Sequence, residues 1–334
     1  MPAPPPASAR VHPPSYLAYG LWQESSGYFN VEQRLVASKA LHLTLPLAPM
    51  PIFMPEHNII NATVVGQVGF AEWWIREVFL KIFRTCNQHK RPFVFADTGS
   101  NEGTWTMLAA AHGCHVIAAD PQPLCLSLLN AGVKRTGVAS HVETHNRVLA
   151  PADMSNGSMW VPNDQCHGTS EYLPHLKRVS DTTMAGRGIL GRRTTRQEVW
   201  PISFDEMVGP SRVVDLWHLD VEGAEVTVLR SARRLFSERR IRRVMLEFIP
   251  FRWVSQNVKI TKGHDELKAL FRDWKCTVVC PNAPEHHEQP FTFDTKDTFK
   301  HVWVQTPRGR RMICENIYCV DPRPSPHRIK FVIT

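Results

Sequence analysis

The sequence is defined first by what is missing from it. No run approaches the roughly eighteen apolar residues of a membrane-spanning helix, so none is expected. The opening stretch, MPAPPPASARVHPP, is rich in proline and has no apolar heart, so it does not read as a secretory leader. With no leader in view the default compartment is the cytoplasm, and the glycosylation-type triplets Asn61-Ala-Thr63 and Asn156-Gly-Ser158 carry little weight. No internal repeat is visible. There is no C-x-x-C knuckle. The eight cysteines are scattered, several in apolar strand-like text such as WKCTVVC, and buried free thiols are the expectation. Cys276, Cys280, Cys314 and Cys319 are the one set to weigh as a zinc site, but three and four intervening residues is the wrong spacing. Finally, no G-x-G-x-x-G fingerprint is present, which disfavours a nicotinamide dehydrogenase.

What is there suits one large α/β domain with extensions. The chain has 334 residues and is 43% hydrophobic, enough for a sizeable core. Its net charge of +8 permits an acidic or nucleic-acid partner, although much of the excess lies in a few arginine clusters and reads as a solvated surface. Residues 1–15 are expected to be a disordered proline-rich tail, 16–90 an N-terminal extension with a packing helix, and 91–322 the main domain. A C-terminal tail follows at 323–334. Within the extension, residues 71–86 carry a helical stripe in which Trp74, Val78, Ile82 and Cys86 recur every four residues, with Ile75 and Phe79 beside them.

From residue 93 the text alternates. Strands are expected at 93–97, 115–120 and 141–149, with helices at 102–112 and 124–135 closed by Gly113 and Gly137. After a polar excursion at 150–200 the rhythm resumes. Strands are expected at 213–220, 242–250, 275–280 and 316–320, with helices at 224–237 and 265–274. Apolar strands separated by helices imply a mostly parallel sheet covered on both faces. The excursion holds the basic stretch GRGILGRRTTR, 186–196, and reads as a long surface loop or lid; a nucleic-acid arm is the alternative, though aromatic interleaving is absent.

In such a sheet, ligands sit beyond the C-terminal ends of the strands. There the chain places Asp97-Thr-Gly99-Ser-Asn101-Glu-Gly103. Gly99 can take a positive φ and let backbone approach a ligand. An acid at Asp97 would repel a pyrophosphate and suits a cationic ligand instead, which points to S-adenosylmethionine (SAM), a sulfonium without phosphate. Asp120 closes the next strand, twenty-one residues beyond Gly99, where a carboxylate can accept both ribose hydroxyls. Asp220, Glu222 and Glu225 crowd the end of a later strand in LDVEGAEV, with Gly223 allowing a close turn. Each acid alone also reads as a solvated strand end or a helix-dipole partner.

Together these residues resemble the FkbM family of SAM-dependent methyltransferases. The first motif is Asp97 to Gly103; Asp120-Pro121 follows, then Asn130 in the next helix. SFDEMV at 203–208 precedes His218-Leu-Asp220-Val-Glu222-Gly223-Ala-Glu225, and Glu247 ends a later strand. The resemblance spans about residues 58 to 322. Ser100, Asp120 and His218 stand where alanine, glutamate and lysine are usual in the family. It implies a Rossmann-like sheet of seven strands in order 3-2-1-4-5-7-6, the last antiparallel, with SAM as cofactor. It also implies O-methylation of a hydroxyl on a sugar, glycan or other small molecule.

The expected cofactor residues are Asp97, Gly99, Asn101, Gly103, Asp120 and Asp220. Asp220, Glu222 and His218 are the expected catalytic residues, with Glu222 or His218 as base and a buried, hydrogen-bonded core His218 as the alternative. No metal is expected; Mg²⁺ held by Asp220 and Glu222 is the alternative weighed. A nucleic-acid methyltransferase and a non-catalytic SAM-binding interaction protein are the rival functions. The absence of an N/D-P-P-Y/F tetrapeptide argues against methylation of amino groups.

Overall fold

The computed structural model describes residues 28–37, 46–55, 73–154, 157–162, 166, 194–279, 289–294, 303–306, 309–312 and 316–323. The expected tails, Cys280, Cys314, Asn61, Asn156 and most of the basic stretch at 186–196 lie outside them. No helix of the described residues is long and apolar enough to cross a membrane.

Seven strands form the central sheet: β1 (Val94–Thr98), β2 (His115–Ala119), β3 (Val142–His145), β4 (Leu216–Leu219), β5 (Arg243–Glu247), β6 (Lys275–Val279) and β7 (Asn316–Val320). Across the sheet they run β3-β2-β1-β4-β5-β7-β6. The first five are parallel, and β7 is antiparallel to both its neighbours. The order reverses between β1 and β4, so a crevice opens beyond their C-terminal ends.

Helices cover both faces. One core packs α1 (Trp73–Phe83), α2 (Thr104–Ala111) and α3 (Pro123–Thr136) on Phe95, Val116, Ala118 and Leu216. The other packs α4 (Phe204–Val208), α5 (Glu225–Arg230), α6 (Arg233–Ser237) and α7 (Ile260–Leu270) on Ala96, Ile117, Trp217 and Val244. Burial on two faces explains the near-continuous apolar strand text. The indole of Trp217 stacks on Phe204 and donates to Thr98 Oγ1 at 3.1 Å, fixing β4 beside β1.

Several elements differ from expectation for local reasons. Of the expected stripe on α1, Trp74, Ile75, Phe79 and the following Cys86 are buried, joined by Leu80 and Phe83, while Val78 and Ile82 sit half-buried at its flank. The helix expected at 224–237 is two short ones. Ser231 breaks it: its hydroxyl donates to the Val228 carbonyl, and its own carbonyl accepts from Asp205 of α4. The strand expected at 141–149 stops at His145. The chain turns there, and Val148–Leu149 pairs with Pro201–Ile202 instead. In the excursion, Gly157–Pro162 pairs antiparallel with Thr194–Val199. The N-terminal extension contributes a short helix, Val31–Ala37, and two paired strands, Tyr28–Asn30 and Phe53–Pro55. Leu47 and Met54 are buried against α2 and α3, and His112 bonds the Leu47 carbonyl.

The cysteines correct the sequence reading. Six of them form three disulfides, Cys86–Cys114, Cys125–Cys166 and Cys276–Cys319, rather than free thiols. Cys276 and Cys319 face each other across β6 and β7, so two of the four residues weighed as zinc ligands pair covalently. Such bonds persist in oxidising environments, which runs against the cytoplasmic default.

Candidate active site

The crevice at the sheet's switch point encloses about 700 Å³ counting its open mouth. Its polar wall is Gly99, Asn101, Asp120, Gln122, Asp220 and Glu222; Val148, Leu149, Val221 and Val228 supply an apolar side.

The glycine loop leaves β1 under tight constraint. The amides of Gly99 and Ser100 both donate to the Ala119 carbonyl. Gly99 sits at φ 74°, and a Cβ there would collide with the Asp220 carbonyl. Only glycine fits. Asn101, at φ 52°, occupies the left-handed region that asparagine tolerates better than most residues. Gly103 is not on the cavity wall. It starts α2 at φ 85°, and a side chain there would overlap Leu129 of α3, so it serves helix packing.

Asp120 is 3% exposed, and both its oxygens are engaged. Oδ2 accepts the Asn101 amide at 3.0 Å and Oδ1 the Gln122 amide at 2.8 Å. Burial pushes its carboxyl up to about 7; the two amides pull against this, and the charges of Asp97 and Asp220 reinforce it. Each carboxylate oxygen keeps a further lone pair, which is what a ribose diol needs.

Asp97 and His218 are together, but not in the cavity. In register across β1 and β4, both point to the face covered by α1 and α2. His218 Nδ1 lies 2.9 Å from Asp97 Oδ1, and Asp97 Oδ2 accepts from Thr106 at 2.6 Å. Phe79 and Trp105 pack edge-on against the imidazole. Asp97 thus has an internal imidazole as partner, and His218 is buried and hydrogen-bonded on the covered face.

The loop after β4 is locked to the loop after β5. Glu222, at φ 54°, forms an ion pair with Arg252. Gly223, at φ 101°, lets Arg252 approach, since a side chain would strike it. Glu225 is fully buried and accepts from the Gly223 amide at 2.7 Å and the Trp253 indole at 2.6 Å. Burial raises its carboxyl to about 7. Asp220 alone among the three cavity acids accepts no side-chain bond among the described residues.

Sequence reasoning missed Gln122, Arg252, the Val148–Leu149 wall and the disulfide at the loop. Gln122 carried a signal, two residues past Asp120 at the start of a helix. Arg252 carried none.

The crevice, the glycine loop and the strand-end acid define a SAM-dependent methyltransferase. The cavity fits that cofactor: its buried acid has lone pairs to offer a diol, and its charged wall is acidic apart from Arg147, which suits a sulfonium. The chain belongs to the FkbM methyltransferase family, whose domain profile matches residues 94–288.

Solved structures similar to it include a precorrin-6y C5,15-methyltransferase from Geobacter metallireducens, with 8% identity over 73% of this chain and 89% of the other, TM-score 0.34. A putative O-methyltransferase from Klebsiella pneumoniae has 8% identity over 86% of each chain, TM-score 0.36. A human methyltransferase 10 domain containing protein has 10% identity over 73% and 81%, TM-score 0.32. At these scores they carry no argument about substrate. No curated protein matches.

Proposed function

We propose that the protein methylates a hydroxyl on a sugar, glycan or other small acceptor, with Asp220 as the general base. The observation that carries this is the state of the three cavity acids. Asp120 is held by two amides and Glu222 by Arg252, which leaves Asp220 to face the reacting atoms. When bound, SAM supplies an electrophilic methyl on sulfonium sulfur.

The residues do the rest. Asp120 holds the ribose, and the Gly99 loop brings backbone to the cofactor's edge. Val148 and Leu149 keep water from one side. Alignment of acceptor and methyl supplies several kcal/mol of the barrier reduction, of order up to ~7 or more. An alcohol is a poor nucleophile until its proton is drawn away, and Asp220 takes that proton at its carboxylate. Glu222, neutralised by Arg252, shapes the mouth without competing for the proton, and the same ion pair opposes a Mg²⁺ bound between Glu222 and Asp220.

The test is transfer of labelled methyl from SAM to a panel of hydroxylated sugars, glycans and polyketides, with amines and RNA alongside. Product on a hydroxyl, lost in Asp220→Asn, supports the reading. Transfer confined to amines or RNA, or an unimpaired Asp220→Asn, refutes it.

A further inference from the structure

The three disulfides are not equivalent. Cys86–Cys114 links the end of the α1 segment to the approach to β2, and Cys276–Cys319 links adjacent strands at the far edge of the sheet. None of the six cysteines lines the cavity, but one pair touches a residue that does. Cys125–Cys166 lies at the cofactor loop. Its Cys125 sulfur is 3.8 Å from Asn101 Oδ1, and its Cys166 sulfur contacts the same oxygen and lies 3.7 Å from Glu102 Oε2. A disulfide sulfur has no proton to donate, so these are packing contacts that seat the Asn101 side chain. Both cysteines are almost fully buried.

Of the two residues whose backbone amides hold Asp120, one contacts this bond and the other begins the helix that carries Cys125. Asn101 touches the sulfurs directly. Gln122 stands three residues before Cys125, at the start of α3. Asn101 also keeps a left-handed backbone, a conformation that surrounding contacts must maintain.

We propose that the Cys125–Cys166 disulfide positions Asp120 and the glycine loop, so that full SAM affinity requires this pair to be oxidised. The inference rests on the SAM-site reading. A dithiol such as dithiothreitol would break the one S–S bond, leave two cysteine thiols and itself become a cyclic disulfide. The reduced sulfurs separate, and Asn101 loses its seat.

The experiment pairs two readouts on the full chain: SAM affinity by calorimetry, and amide hydrogen exchange at Asn101 and Gln122 without ligand. Cys125→Ala/Cys166→Ala should bind SAM about tenfold more weakly, the loss expected when hydrogen bonds to a charged group are disturbed. Its Asn101 and Gln122 amides should exchange about tenfold faster as the loop opens locally. Cys276→Ala/Cys319→Ala should melt earlier yet keep SAM affinity within about twofold of the parent. Wild-type affinity and exchange in Cys125→Ala/Cys166→Ala would overturn the proposal, as would an equal loss in Cys276→Ala/Cys319→Ala.

If the first variant does not fold, stepwise reduction of the parent with dithiothreitol, with alkylation mapped by mass spectrometry, replaces it. Affinity should then track the fraction of Cys125 left unalkylated; no such tracking would overturn the proposal. A parent that binds no SAM would strike the cofactor reading, while the exchange rates would still decide the role of the disulfide.

Discussion

Two aspartates bracket β4, one at each end, and they are treated in opposite ways. Asp215, at the N-terminal end, is 3% exposed and fully occupied. Arg91 meets it with two bonds of 2.7 and 2.5 Å, and the Val94 amide donates at 3.0 Å. Asp220, at the C-terminal end, faces a cavity and has no side-chain partner among the described residues. The same residue type on the same strand is a fastening at one end and a reagent at the other. The difference lies in where the loops gather: at the switch point between β1 and β4 the connections leave towards opposite faces, and a crevice opens beyond the C-terminal ends of these strands. Satisfied acids hold the fold, and an unsatisfied acid beside a cavity is available for chemistry.

The contrast can be broken from either end. The largest effect belongs to Asp220→Asn. Methyl transfer should fall by about 10²- to 10⁴-fold, the usual contribution of a positioned base. Thermal unfolding should show stability within about 1 kcal/mol of the parent, since no native bond is lost. A large stability loss with intact turnover would reverse the assignment of the two ends.

Next comes Asp215→Ala. It strands the Val94 amide and the Arg91 guanidinium, and should cost about 2–3 kcal/mol, less than a fully buried pair because Arg91 is 34% exposed. Urea unfolding measures the cost, and SAM affinity of the folded protein should stay within about twofold.

A smaller effect is the pH response of Asp120. Its ionised form accepts the diol, so with a carboxyl raised to about 7 SAM affinity should drop roughly eightfold from about pH 7.5 to about pH 6. Stability should respond with the opposite sign. The native carboxyl holds its proton to higher pH than the unfolded one, so its contribution declines as pH rises from about 4 towards about 7. Asp120→Asn should flatten both profiles, read by calorimetry and by melting across that range. A pH-independent affinity in the parent would mean that Asp120 is already ionised at pH 6.

Much of the C-terminal edge was legible in the sequence, because the constraints there are local. Gly99 takes the left-handed turn that ends its own strand, and Asp120 follows its strand at a spacing set by one strand-helix-strand unit, although the Asp220 carbonyl that forbids a side chain on Gly99 comes from far along the chain. His218 was only half legible: strand alternation puts it on the same side as Asp220, and its seat against Asp97, Phe79 and Trp105 depends on packing that alternation does not show. Other features depend on chain far away. Cysteine connectivity cannot be read from spacing, and Cys166 reaches Cys125 across 41 residues. Arg252 finds Glu222 only after β4 and β5 are side by side. Ser231 reads as an ordinary helical residue until α4 supplies the amide that takes its carbonyl. The N-terminal end was illegible for the same reason: Arg91 and Asp215 are 124 residues apart.

The central claim is that the C-terminal edge binds SAM through Asp120. Calorimetric titration of SAM into the parent and Asp120→Ala tests it most directly. The account predicts micromolar binding by the parent, weakened at least about tenfold by the substitution, with no binding of NAD to either protein. Equal SAM affinity in the two proteins would contradict it.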